Sequence, residues 1–71
     1  MKLQRLQDLR VDADLTQKEV GEIIHVSQRS YSHYETGTRN IPLETLTALA
    51  DYYQTSLDYI AGRTDIKELI K

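Results

Sequence analysis

The sequence predicts an all-α fold, a compact domain of five short helices, and three observations support this prediction. Apolar residues recur three and four positions apart along most of the chain, which is the helical period. No stretch alternates apolar and polar residues in the way that a half-buried strand does. Ser, Thr, Pro and Gly residues stand where successive short helices would begin and end.

The first helix is predicted over about residues 2–12. Leu3, Leu6 and Leu9 fall on one half of a helical wheel and form an apolar stripe. Arg10 and Ala13 lie on the same half, so Arg10 stands at the margin of an otherwise apolar face. The position of this charged residue needs an explanation.

The second helix is predicted over about 17–24, with Thr16 as its N-cap. Glu19, three residues further on, completes a capping box, and Leu15 and Val20 are spaced as a hydrophobic staple. The residues expected to be buried are Val20, Ile23 and Ile24. Gly21 inside the helix costs about 1 kcal/mol relative to Ala, which indicates that another segment of backbone passes close to it.

The third helix is predicted over about 28–35, after a short break at His25 and Val26, with Val26 buried in the turn. Ser27 is its N-cap and Gly37 its left-handed C-cap. Two tyrosines, Tyr31 and Tyr34, face the core. The opposite arc of about 140° carries Gln28, Arg29, Ser32, His33 and Thr36.

This polar arc has two interpretations. A polar outward face is common on surface helices and needs no function. However, Gln, Arg, Ser and His carry directional donors and acceptors that suit the edges of DNA bases, whereas a merely solvated face would favour Lys and Glu.

The fourth helix is predicted over about 42–53, with Pro42 in its first turn. Ser56 caps a short fifth helix that Gly62 ends. The inward residues of these helices are Leu46, Leu49, Ala50, Tyr53, Leu57 and Ile60. The C-terminal tail, residues 63–71, places Ile66, Leu69 and Ile70 at helical spacing and so predicts a short amphipathic segment.

Composition limits the possible functions. Seventy-one residues form one domain, and the absence of Cys excludes disulfides and thiolate metal sites. No signal-peptide block or membrane span is present, so a cytoplasmic protein is expected. The net charge of −2 comes from residues 44–71, which have three basic and five acidic groups, whereas residues 1–43 have six of each. The local potential at a binding face decides DNA affinity, so this net charge is a weak objection to a DNA partner.

The stretch LTQKEVGEIIHVSQRSYSHYETG resembles, without a gap, the helix-turn-helix unit of the phage-repressor and Cro type (xenobiotic response element) family of bacterial transcriptional regulators. LADYYQTSLDYIAG resembles the fourth and fifth helices of that family, and the resemblance covers roughly residues 3–62. It implies a lambda-repressor-like DNA-binding domain over residues 1–62, followed by the tail. His25 departs from the family pattern, which commonly has Gly with a positive φ there, so a small loss of stability is expected.

The resemblance also implies roles for individual residues. The third helix would lie in the major groove and the second would cross the DNA backbone. The implied base contacts are Gln28, Arg29, Ser32 and His33, and the implied backbone contacts are Arg10, Gln17, Lys18, Thr38, Arg39 and Asn40. Arg10 would also pair with Glu35 at the end of the third helix, which would account for its position at the margin of the apolar stripe.

The function implied is sequence-specific binding of a double-stranded DNA operator by a transcriptional regulator, expected to be a repressor. Two alternatives stay open: a helix-turn-helix used mainly for protein contact, such as an antitoxin or accessory regulator, and the DNA-binding part of a longer repressor. An enzyme is not expected, because the two histidines form no evident dyad and no glycine-rich phosphate loop is present. No cofactor, metal or small-molecule ligand is expected.

A homodimer is expected at least on DNA, because one recognition helix covers only a few base pairs. The candidate dimer residues are Tyr59, Ile66, Leu69 and Ile70. The alternative, of equal weight, is that the tail folds back onto the first helix and covers the core of the monomer.

Overall fold

The computed structural model describes residues 3–67, and its helices, in chain order, are α1 (Gln4–Asp12), α2 (Gln17–Ile23), α3 (Gln28–Thr36), α4 (Leu43–Tyr53) and α5 (Leu57–Ile60). No residue between 3 and 67 lies in a strand. The predicted all-α fold with five helices is therefore confirmed. None of the helices in this part of the chain has the length and apolar character needed to cross a membrane.

Side-chain caps fix where three of the helices begin. Thr16 Oγ1 accepts from the Glu19 backbone N–H at 3.1 Å, and Glu19 Oε1 accepts from the Thr16 N–H at 3.0 Å, which confirms the capping box. Ser27 and Ser56 each accept a backbone N–H three residues further on, as predicted. The N-cap of α1, Leu3, has no side-chain cap, and the helix begins at Gln4 rather than at residue 2.

Two details of the predicted helices are wrong. Pro42 is the N-cap of α4, with φ −61° and an extended ψ of 145°, so it precedes the first turn, and its carbonyl accepts from the Leu46 N–H at 3.0 Å. Ile23, predicted to be buried, is 36% exposed. The cause is that α2 packs through Val20 and Gly21, which turns Ile23 to the rim of the contact.

The core joins all five helices around α3. Tyr31 of α3 has no exposed surface and Tyr34 is 8% exposed, so α3 is anchored through its two tyrosines. The other buried apolar residues are Leu6, Leu9, Val20, Leu49, Ala50 and Ile60. Several residues predicted to be inward are only partly buried against this core: Leu3, Ile24, Val26, Leu46, Tyr53 and Leu57.

The turn between α2 and α3 is set by Gly21 and His25. A Cβ on Gly21 would lie 2.8 Å from the Val26 carbonyl oxygen, so the prediction that another backbone segment passes close is confirmed. The Val26 N–H donates to the Gly21 carbonyl at 2.8 Å across the same contact. His25 has φ 61°, in the left-handed region that His tolerates better than most residues. These contacts fix the angle between α2 and α3.

The described part of the tail folds back onto α1. Arg5 stacks 4.2 Å from the centroid of the Tyr59 ring, donates to the Tyr59 and Thr64 carbonyls, and pairs with Asp65 at 2.7 Å. The Thr55 hydroxyl donates to the carbonyl of Lys67. Residues 63–67 lie in bends and coil rather than in a helix. The amphipathic segment stays a prediction, because most of it lies beyond residue 67. Leu69 and Ile70 lie outside the described residues.

Candidate nucleic-acid interface

The outward face of α3 is fixed by the packing of its opposite face. Tyr31 and Tyr34 are buried, while Ser27 caps the first turn, so the helix can neither rotate nor unwind at its N-terminus without losing these contacts. The Leu3 N–H also donates to the Glu35 carbonyl at 3.3 Å, which ties the end of α3 to the start of α1. The helix therefore presents one defined polar face.

The four residues predicted to contact bases lie together on that face. Gln28 and Arg29 are exposed, and Ser32 and His33 are half-buried. All four line one shallow, open depression, to which α2 contributes Gln17 and the turn contributes Ser27. This depression has no acidic side chain among its lining residues in the described part of the chain. Sequence reasoning used Ser27 only as a cap and missed that a cap at this point also borders the outward face.

The residues predicted to contact the DNA backbone fall in two places. Lys18 is exposed beside Gln17 in the first turn of α2. Thr38, Arg39 and Asn40 are exposed in the loop that follows α3. These places lie at the start of α2 and at the end of α3, on either side of the base-facing residues in the chain. Of these backbone candidates, Gln17 lies at the depression that carries Gln28, Arg29, Ser32 and His33.

Arg10 differs from the other candidates because its guanidinium is held within the protein. Its Nε donates to Glu35 Oε2 at 2.9 Å and its Nη2 to Glu35 Oε1 at 3.3 Å, while Nη1 donates to the Leu15 carbonyl at 3.0 Å. The Arg10 and Glu35 side chains are 15% and 5% exposed. The hydrogen bonds to Glu35 raise the pKa of Arg10, although burial opposes this. The three bonds leave two of the five guanidinium N–H groups for any other acceptor.

Two buried tyrosine hydroxyls lie beside this ion pair. Neither the Tyr31 nor the Tyr53 hydroxyl has a hydrogen-bond partner among the described residues. Burial raises the pKa of Tyr31 above its ordinary value, and the Glu35 carboxylate is the second cause of this rise. Burial raises the pKa of Tyr53 to about 12, with Tyr52 as the second cause. Both shifts favour the neutral phenol, so the two hydroxyls lie uncharged beside the ion pair at physiological pH.

Within residues 3–67 no group of three or more His, Asp or Glu side chains is arranged to hold a metal ion.

Comparison with known proteins identifies the family of the chain. A family model described as helix-turn-helix matches residues 6–60. Over 65 residues the chain is 42% identical to an uncharacterised HTH-type transcriptional regulator, YobD, of Bacillus subtilis, covering 92% of this chain and 58% of that protein. Over 69 residues it is 38% identical to the cryptic phage CTXphi transcriptional repressor RstR of Vibrio cholerae, covering 94% of this chain and 62% of that protein.

A third relative, the HTH-type transcriptional regulator ImmR of Bacillus subtilis, is 33% identical over 64 residues, covering 90% of this chain and 50% of that protein. The chain thus spans between half and about three fifths of the length of these relatives. No solved structure matches the chain significantly. Because the family match covers most of the chain, from α1 to the end of α5 and including α2, the turn and α3, the chain belongs to the Cro/C1-type helix-turn-helix family.

Proposed function

We propose that the chain binds double-stranded DNA sequence-specifically, with α3 in the major groove, and that it does so as a transcriptional regulator that represses. The observation that carries the proposal is the outward face of α3, where four hydrogen-bonding side chains meet around one shallow depression opposite two buried tyrosines. The relatives, which include a phage transcriptional repressor, support the same function.

The base contacts follow from the chemistry of each side chain. The Gln28 amide can donate to and accept from adenine, and the Arg29 guanidinium can donate twice to guanine. Both are exposed in the first turn of α3, which is the part of a recognition helix that meets base edges. Ser32 and His33, one turn further along, reach bases further along the groove and accept or donate single hydrogen bonds.

The backbone contacts are proposed for two groups of residues. Gln17 and Lys18 stand in the first turn of α2, where their side chains can donate to a phosphate. Thr38, Arg39 and Asn40 provide contacts on the other side of the face. Arg10 contributes less in this proposal, because Glu35 and Leu15 already engage three of its N–H groups.

Two protomers are proposed to bind a two-fold symmetric operator. Among the dimer candidates, Tyr59 is partly covered by Arg5, whereas Ile66 is 51% exposed, so Ile66 is the stronger of the two. Leu69 and Ile70 stay in the proposal, but they lie outside the described residues. The proposal requires no catalytic step and no cofactor, and it places the protein in the cytoplasm, where bacterial operators are found.

Selection from a pool of random DNA duplexes tests this function. The immobilised chain should enrich one two-fold symmetric sequence, and a variant with Gln28→Ala and Arg29→Ala should not. A matched control with Glu44→Ala and Thr47→Ala, which changes two exposed residues of α4, should enrich the same sequence as the unmodified chain.

Failure of the unmodified chain to enrich any duplex would contradict the proposal. Capture of a protein partner in that case would favour the alternative of a protein-contact module. If the Gln28 and Arg29 substitutions left the enriched sequence unchanged, the residues that contact the bases would lie outside the first turn of α3.

A further inference from the structure

A short chain of hydrogen bonds joins the N-terminus of α3 to the loop beyond its C-terminus. Ser27 Oγ accepts from the Ser30 backbone N–H at 3.1 Å and donates to Ser30 Oγ at 3.1 Å. Ser30 Oγ also accepts from Arg39 Nη1 at 3.4 Å. Ser30 lies outside the polar arc, so none of the roles described above includes it.

The backbone of the loop brings Arg39 to this position independently of its side chain. The Arg39 N–H donates to the His33 carbonyl at 3.3 Å. The Thr36 and Thr38 hydroxyls are 2.9 Å apart, and the Thr36 hydroxyl donates to the same His33 carbonyl at 3.3 Å. The loop therefore runs back beside the last turn of α3, and Arg39 lies along the flank of the recognition helix.

We infer that Ser30 is a positioning residue that holds the Arg39 guanidinium beside α3, ready to bind a phosphate of the DNA backbone. The inference rests on the proposed function and adds a residue to it. A guanidinium has five N–H donors, so one bond to Ser30 leaves enough to bind a phosphate with two parallel hydrogen bonds.

The expected gain comes from ordering Arg39 before DNA arrives. A free arginine side chain samples many rotamers, and binding a phosphate would restrict it to few. Where Ser30 has already restricted the side chain, less conformational entropy is lost on binding, and affinity is higher. Removing the Ser30 hydroxyl should therefore weaken binding to DNA.

The test compares Ser30→Ala with Ser30→Thr, each in the 71-residue chain. Ser30→Ala keeps the backbone N–H that Ser27 caps, and Ser30→Thr also keeps the hydroxyl. Affinity is measured by fluorescence anisotropy for the duplex enriched from the random pool and for a scrambled duplex of equal length. Ser30→Ala should weaken binding to both duplexes by the same factor, about two- to tenfold, and Ser30→Thr should restore it.

Two further variants complete the test. In the Arg39→Ala background, Ser30→Ala should have no further effect, because its partner is absent. Thr47→Ala, which removes a helix hydroxyl that donates to a carbonyl on α4, should leave affinity unchanged. Unfolding midpoints should be the same for Ser30→Ala and the unmodified chain, which separates positioning from a general loss of structure.

If the unmodified chain binds DNA and Ser30→Ala binds it equally well or more tightly, this inference is overturned and the proposed function stays intact. A loss confined to the enriched duplex would also overturn it, because a phosphate contact is independent of sequence. Failure of the unmodified chain to bind either duplex would overturn both.

Discussion

The Arg10 guanidinium and the Glu35 carboxylate meet between α1 and α3, with Nε 2.9 Å from Oε2 and both side chains largely buried. The pair holds together the helix that starts the domain and the helix that presents the polar face. A buried ion pair adds little net stability, because desolvation of both charges offsets their attraction. Removing only one of the two residues should cost stability, since the other would then be a buried charge without its partner.

Arg10→Ala and Glu35→Ala should therefore each destabilise the fold by about 3–5 kcal/mol. The double variant should lose less than the sum of the two, because it leaves neither charge unpaired. Chemical unfolding of the four proteins at neutral pH gives the coupling free energy. The Arg63–Asp58 pair is the control, since its atoms are 4.0 Å apart and both side chains are mostly exposed, so Asp58→Ala should change stability little. Strict additivity of the Arg10 and Glu35 effects would mean that the two side chains do not interact in solution.

Gly21→Ala should destabilise the protein, although Ala favours helix. The new Cβ would lie 2.8 Å from the Val26 carbonyl oxygen, and a backbone atom in a tight turn cannot move aside easily. Overpacking of this kind costs about 1–3 kcal/mol, which exceeds the gain of about 1 kcal/mol in helix propensity. Thermal unfolding measures the difference. Glu22→Ala, an exposed neighbour on the same helix, should change stability little, and a Gly21→Ala protein more stable than the parent would refute the close contact.

Much of the fold could be predicted because its determinants are local in sequence. The caps at Thr16, Ser27 and Ser56 each act within three residues, so pattern alone located the start of α2, α3 and α5. Gly21 was informative for the same reason, since a costly residue inside a helix needs a compensating contact.

The remaining features depend on contacts between distant parts of the chain. The helical period of α1 does not distinguish Arg5, yet this side chain binds residues 54–60 positions away and holds the tail against the domain. The exposure of Ile23 depends on the angle between α2 and α3, which Gly21 sets and periodicity alone does not reveal. The contact between Ser30 and Arg39 depends on the path of the loop. Roles on DNA came from the family resemblance and the chemistry of the side chains rather than from these contacts.

Alkaline pH should destabilise the fold partly through Tyr53. Its pKa is raised to about 12 by burial, with Tyr52 as a second cause, whereas a tyrosine in an unfolded chain titrates near 10. Between these values the unfolded state loses the proton and the folded state keeps it, so this contribution to stability is present below pH 10 and is lost as pH rises to about 12.

Tyr53→Phe should accordingly flatten the decline of the unfolding midpoint above pH 10. The Tyr53 hydroxyl has no partner among residues 3–67, so the substitution should have little cost at neutral pH. Thr47→Ala, on an exposed side chain of the same helix, leaves every tyrosine in place and is the control, so it should not change the alkaline profile. An alkaline profile that Tyr53→Phe leaves unaltered would show that this phenol is not the group responsible.

Arg29→Ala and Gln28→Ala should each weaken binding to the enriched duplex by about 1–3 kcal/mol and relax the preference at one base pair. Lys18→Ala is the contrasting control, because a phosphate contact should weaken binding equally on all sequences and lower the salt slope by about one. Competition between single-base-pair variants of the duplex, repeated at several salt concentrations, measures both effects. Equal loss on every duplex after Arg29→Ala or Gln28→Ala would mean that the side chain contacts phosphate only.

Assembly on DNA decides how much sequence the protein can read. One α3 covers only a few base pairs, so a second protomer, one DNA turn or about 34 Å away, would double the site. Two of the dimer candidates lie within residues 3–67. The exposed Ile66 is the stronger of them, because Arg5 already stacks on Tyr59. If the tail mediates pairing, the second protomer should bind the symmetric site more tightly than the first.

Ile66→Ser should reduce that cooperativity while leaving the affinity for an isolated half-site unchanged, because the substitution is on the tail and not on the face of α3. Leu43→Ser is the matched control, since Leu43 is also an exposed apolar residue, at 68%, but lies at the start of α4. Titration of whole and half sites, followed by sedimentation to count protomers, separates the two variants. One protomer on the whole site at full affinity would contradict the dimer. If two protomers bind and Ile66→Ser does not change their cooperativity, the contact between protomers lies elsewhere. Residues 63–67 would then serve only to cover the monomer beside α1.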